Sequence, residues 1–185
     1  MLSDKIEALV EKLSELRRPV VDVLEPGLSP SRVSELLGPD VPTDVKTWFA
    51  WFNGAKYQEG EIQDDVYIIP PYYPISLDEA LEIKSIYGSD SDPVLTDPWI
   101  PLLTGGGSDM LVAMWKPGQN PVVASVIIGE PTEIEFPSMK LAVSYYIECF
   151  KTGAFSIDED GYMDMDPVAC DALHESFIGN GNIPY

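Results

Sequence analysis

The stretch WIPLLTGGGSDMLVAMWK, residues 99–116, constrains the fold more than any other part of this chain. Two short apolar runs are joined by Gly105, Gly106 and Gly107, and the second run is closed by Lys116-Pro117-Gly118. Apolar runs of this length bounded by turn residues read as buried strands. The glycines then read as the turn between them, supplying positive φ values that other residues adopt only with strain. A phosphate-binding loop would need a helix after the glycines, its free N–H groups facing the anion. It would also need Gly-Lys, whereas Gly107 is followed by Ser108 and Asp109 and the next lysine is Lys116. The dinucleotide pattern G-x-G-x-x-G fails at Met110, and Asp109 in the turn would repel phosphate. The stretch is therefore expected to be a β-hairpin.

Charge narrows the partners. The chain has 31 acidic residues against 11 Lys and Arg in 185 residues, a net charge of −20. The excess is local: residues 1–60 carry 10 acids and 7 bases, residues 61–185 carry 21 acids and 4 bases. Nucleic acid and anionic membranes need basic surface, so both are disfavoured as ligands. A basic protein is allowed, since long-range attraction speeds encounter with a cationic surface; the same excess also serves solubility. The length fits one domain, with or without a tail. No apolar run approaches a membrane span, and MLSDKIEALVEKL reads as an amphipathic helix rather than a signal peptide. Cys149 and Cys170 are too few for a disulfide framework or a four-ligand zinc site, and a reducing cytoplasm is the expected setting.

Along the chain, Ile6, Leu9, Val10, Leu13 and Leu16 make one apolar stripe on a helix from Asp4 to Arg18, ended by Pro19. Residues 19–28 look extended. Ser29-Pro30 opens a short helix closed by Gly38, and a third helix runs from about Thr43 to Phe52, with Val45, Trp48, Phe49 and Phe52 on one face, Trp51 off that face and Asn53-Gly54 as its stop. Residues 65–69, DVYII, are a strand candidate. Ser76 and Glu79 have capping-box spacing and open a helix to about Tyr87. An acidic loop, 88–98, precedes the hairpin. Val122 to Ile128 is a β-branched strand. Ser138 caps a long helix to about Lys151, with Ala142, Val143, Tyr146, Ile147 and Phe150 inward. PVACDALHESF near the end is helical. Helices followed by consecutive strands with tight turns predict an α+β fold, a largely antiparallel sheet with helices packed mainly on one face.

Motifs for catalysis are missing. His174 is the single histidine, no G-x-S-x-G elbow exists, and His174-Glu175 lacks the second histidine of a zinc-protease helix. His174 reads as a surface or half-buried structural residue. DEDGYMDMD, 158–166, resembles a calcium loop, but Met163 and Ala169 stand where an EF-hand starting at Asp158 needs Gly and Glu. With this many carboxylates, pairs at glycosidase spacing arise by chance, and the tryptophans serve a core more often than a sugar groove. No catalytic residue, metal site or cofactor is expected.

The ordered set of motifs resembles the SUKH superfamily, the Smi/Knr type named for cell-wall-assembly regulators. It comprises SPSRVSELLG, Val41-Pro42, the helix with Trp48 ending in Asn53-Gly54, Ser76-Leu77-Asp78-Glu79, Trp99 and Pro101, the glycines through Gly107 with Asp109, and the strand and long helix that follow. The match spans roughly residues 28–155, giving a single domain over 1–155 and an acidic extension, 156–185, packed on it. The resemblance implies a non-catalytic protein-binding domain. Bacterial members look like immunity proteins that neutralise a cognate toxin, often a nuclease; fungal members are regulatory scaffolds. A hydrolase is the weaker alternative. The acidic excess then fits a basic toxin as the protein partner. The expected contact surface combines Asp90, Asp92 and Asp97 with Asp158, Glu159, Asp160, Asp164 and Asp166, together with Tyr72, Tyr73 and Tyr162, since tyrosine is favoured at interfaces.

Overall fold

In a computed structural model, which describes residues 1–56, 60, 62–87, 97–105, 107, 109–179 and 183, the N-terminal stripe forms α1, Leu2–Glu15, burying Leu2, Ile6, Leu9 and Leu13. The expected extended segment 19–28 is instead a short helix, α2, Val20–Val23, before Leu24 bridges to Ala55. Its valines look strand-forming, but Pro19 already holds helical dihedrals as the cap, and Arg17 turns the chain sharply with φ 56°. Gly27 then passes so close to α4 that a Cβ there would lie 1.9 Å from the Ala50 carbonyl oxygen. Helices α3, Pro30–Leu37, and α4, Thr43–Trp51, follow as expected, Ser29 accepting the Arg32 N–H at 3.2 Å. Trp51 is half-buried and its indole N–H donates to Ser3 Oγ at 3.1 Å.

Residues 65–69 are not a strand. Gln63–Val66 is a 3-10 turn, tightened by the Asp65 carboxylate accepting the Ile62 N–H at 3.0 Å. The chain then doubles back between Ile69 and Tyr72 through Pro70-Pro71. Local carboxylate-to-backbone bonds compete with a ladder here, and Val66 and Ile68 still bury their side chains.

The main sheet has the order β1–β2–β3–β4–β5, all neighbours antiparallel: β1 Tyr73–Pro74, β2 Trp99–Thr104, β3 Asp109–Met114, β4 Val122–Ile127 and β5 Glu133–Phe136. The glycine-rich stretch is thus the hairpin between β2 and β3. Both faces are buried. Ile100, Leu111, Ala113, Val123 and Phe136 join α1, α4 and α6, Met139–Thr152, in the main core. On the opposite face Trp99, Met110, Val112, Met114 and Ala124 form a second cluster. It is reached by Ile83 of α5, Leu77–Tyr87. Two covered faces explain why these strands read as unbroken apolar runs rather than alternating ones. The capping box of α5 is formed: Ser76 N–H donates to Glu79 Oε2 at 2.8 Å, and Glu79 N–H donates to Ser76 Oγ at 3.2 Å.

After α6 the chain makes a second, two-stranded sheet, β6 Phe155–Ile157 with β7 Met163–Met165, and then α7, Pro167–Ile178. Phe155 and Cys170 belong to the main core, so this acidic segment packs on the domain. Arg18 clasps it from the other end of the sequence. Its side chain, 3% exposed, donates to the Gly161 carbonyl at 2.5 Å and to the Asp64 carbonyl at 2.6 Å, and pairs with the Asp64 carboxylate at 2.5 Å. The other Asp64 oxygen accepts the Met163 N–H at 2.9 Å.

Removing one partner of a buried pair leaves the other charge unpaired. Arg18→Met is therefore expected to lower stability by about 3–5 kcal/mol in urea unfolding. Lys12→Ala, which breaks the exposed Lys12–Glu15 pair, should cost below about 1 kcal/mol.

Candidate functional site

The cavity that carries the most chemistry lies where β5, the β6–β7 hairpin and α7 meet the Ile69–Tyr72 turn. Its volume is about 260 Å³. Aromatic side chains from four elements wall it: Tyr72, Phe136, Tyr145 and Tyr146, and Phe155. Ser125, Glu135, Asp171 and His174 supply its polar edges, with Cys170 and Met165 between them.

Glu135 is aimed by backbone irregularity. Val123 pairs with Phe136 while Ala124 pairs with Ile134, so Glu135 is the extra residue of a β-bulge on β5. Bulges re-aim side chains in this way, and both Glu135 and Phe136 consequently line the cavity. His174 of α7 answers it: Nε2 lies 3.0 Å from the Glu135 carbonyl and 3.7 Å from its carboxylate. The imidazole packs edge-on against Phe136 at 4.9 Å. Burial raises the Glu135 carboxyl above its ordinary range, partly offset by His174 and reinforced by Glu133. A cation brought to Glu135 would relieve that desolvation penalty.

Tyr72 is pushed up to about 12 by burial, then by the nearby Asp109 carboxylate. Tyr146, 5% exposed, is raised by burial and then by Glu135. Burial also raises the Cys170 thiol, whose Sγ donates to the Ala154 carbonyl at 3.6 Å, and pushes Cys149 up to about 12. Reactive thiols have depressed values, so these two are packing groups, both free and buried. Tyr145 donates to the Cys170 carbonyl at 3.1 Å, tying α6 to α7. Among the described residues no cluster of His, Cys, Asp and Glu could hold a metal ion, and no helix is long and apolar enough to cross a membrane. The arrangement offers recognition of a cationic group rather than an activated nucleophile.

The anticipated contact residues divide. Asp90 and Asp92 lie outside the described residues. Asp97 precedes β2, whereas Tyr73 pairs with Thr104 at the far end of that strand, roughly 17–20 Å away for a strand of this length. Asp97 and Tyr73 are therefore not neighbours. Tyr72 does line the cavity, together with Met165 of the hairpin, while Tyr73 stacks on Tyr67 at 6.4 Å. Three of the hairpin acids serve the backbone. Asp158 accepts the N–H groups of Asp160 and Tyr162 at 3.0 and 2.8 Å, Asp164 accepts that of Met165 at 2.8 Å, and Asp166 caps α7 through Val168 and Ala169. Glu159, Asp160 and Tyr162 are exposed at the hairpin tip.

The motif residues have structural uses. Pro42 caps α4, Trp48 packs on Phe52 at 4.8 Å, and the Asn53 side chain accepts the Leu77 N–H at 3.1 Å, capping α5 rather than only stopping α4. Gly54 has φ 93° and its carbonyl accepts the Glu25 N–H at 2.9 Å. Trp99 lies under Lys84, 5.9 Å from the ring centre, and Pro101 sits beside the bulge at Leu102. The reading of the glycines as positive-φ residues fails at Gly105. It has no positive φ; a Cβ there would lie 2.2 Å from Asp109 Oδ2, and one on Gly107 would lie 3.1 Å from Oδ1. The glycines make room for Asp109, whose carboxylate lies near Tyr72. His174 is half-buried, but it faces the cavity. Sequence reasoning missed Glu135, Tyr145, Asp171 and the cavity itself. The alternation Glu133-Ile134-Glu135-Phe136 was the available signal for β5.

No protein-family model and no curated protein matches this chain.

Gly105→Ala should displace the Asp109 carboxylate and bring the Tyr72 pKa down from about 12, though not fully, because burial remains. The wild-type minus Tyr72→Phe difference in phenolate absorbance measures it. Because native Tyr72 keeps its proton where the unfolded chain has lost its own, stability present below pH 10 should fall as pH rises through 12. Tyr72→Phe should flatten that fall.

Proposed function

We propose that this chain is a non-catalytic binding protein for a basic protein partner, and that it acts as a SUKH-type immunity protein neutralising a cognate toxin. One observation carries the reading. The cavity is lined by the acids Glu135 and Asp171 and by no Lys or Arg, and residues 61–185 carry 21 acids against 4 bases. The four bases of residues 61–185, Lys84, Lys116, Lys140 and Lys151, are all absent from the lining. Such a face attracts a cationic surface and repels nucleic acid. A nuclease toxin presents the complementary charge. The motif order from Pro42 to Asp109 supports the immunity assignment.

The full chain, tagged and recovered from its native cell extract, is expected to retain a basic protein that high salt releases and whose toxicity co-expression suppresses. Reversing Glu159 and Asp160 to Lys should slow association by about tenfold and flatten its salt dependence; these acids, unlike Asp158, hold no turn together through their side chains. Retention of a housekeeping complex with no toxic member would favour a regulatory scaffold. Unchanged kinetics would remove the hairpin tip from the interface.

A further inference from the structure

We infer that the cavity between the β5 bulge, the β6–β7 hairpin and α7 is a receptor for one arginine side chain, presented by the protein partner. The inference rests on the basic-partner reading and names what that partner inserts.

Three features select the ligand. The first is charge. Glu135 and Asp171 edge the cavity, Asp109 stands behind Tyr72, and His174 is the single side chain of the lining able to carry a positive charge. An anion is excluded, and a neutral apolar group would leave the Glu135 carboxylate without a new partner in a desolvated place. The second is shape. About 260 Å³ holds one long side chain and no protein segment. The third is surface. The lining is largely aromatic, with Tyr72 half-buried beside the buried Tyr146 and Phe136, and a planar guanidinium stacks on an aromatic ring while its fork donates two hydrogen bonds to a carboxylate. An ammonium can form the cation–π contact but not the paired fork. The apolar turn at Ile69 and Pro70 matches the methylene stem, which prefers apolar contact. The bulge at Glu135 is the device that makes the site, because a regular β5 would point Glu135 and Phe136 to opposite faces.

The test uses the full chain and three small probes, capped arginine, capped lysine and capped citrulline, followed by amide and imidazole NMR. Capped arginine should give saturable shifts at residues 133–136 and 170–174, with a dissociation constant on the order of 1 mM. Lysine should bind several-fold more weakly, and citrulline, the uncharged isostere, should cause no saturable shift. Glu135→Gln should weaken arginine binding by about tenfold, with an unchanged melting temperature as its folding control. Absence of saturable arginine shifts, equal shifts with citrulline, or equal affinity in Glu135→Gln would each overturn the assignment. The two readings fail separately. If arginine does not bind while Glu159 and Asp160 reversal still slows partner association, the arginine receptor falls and the acidic face stands. If arginine binds as expected and no basic partner is recovered, the receptor stands and the partner reading falls.

Discussion

The buried guanidinium of Arg18 ties together parts of the chain that lie far apart in the sequence. It reaches the 3-10 turn through Asp64 and the hairpin tip through Gly161, and Asp64 returns the hairpin's Met163 N–H. Pairing two charges out of water gains little net stability over apolar packing, because desolvation opposes the attraction. What it fixes is position. The hairpin has only three residues in each strand, too few to hold a register alone, and its Met165 forms part of the cavity wall. The turn Arg17 makes, at φ 56°, is what delivers Arg18 to this place. Without the clasp the hairpin that carries Met165 loses one of its ties to the rest of the fold.

The cavity itself arises from departures from regularity on an otherwise regular sheet. A bulge turns Glu135 inward, glycines leave space for Asp109, and Asp109 lies near Tyr72. Two of the groups so placed, Glu135 and Tyr72, have pKa values raised first by burial. The helix that closes the cavity, α7, is capped by an aspartate and held by Tyr145. Its His174 also takes up the Glu135 carbonyl on the edge strand β5. That removes an acceptor from an exposed sheet edge, where unpaired groups invite association.

Elements with a strong local signature were legible in the sequence. The stripe on α1, the capping box of Ser76 and Glu79, the inward face of α6 and the hairpin at Gly105 all follow from patterns within a few residues, and together they give the α+β class. The failures have a common cause. Val20 to Val23 and Val66 to Ile69 have strand-like side chains, yet Pro19 and the Asp65 carboxylate set the backbone first. Strands of two to four residues bury too little to leave a periodicity. The cavity was illegible because its parts are distant in sequence: Tyr72, Glu135 and His174 meet only through a bulge and a packed terminal helix. The charge of the acidic hairpin is plain in the sequence, but charge alone does not show that Asp158 and Asp166 are occupied with backbone N–H groups.

The most direct measurement is amide hydrogen exchange across the whole chain, alone and saturated with the basic protein that the proposed function requires. The account predicts new protection at residues 133–136 and 155–178, with the tip around Glu159 to Tyr162 slowed most. Protection confined to α1, α3 or the outer face of α5, with these segments exchanging as in the free chain, would contradict it.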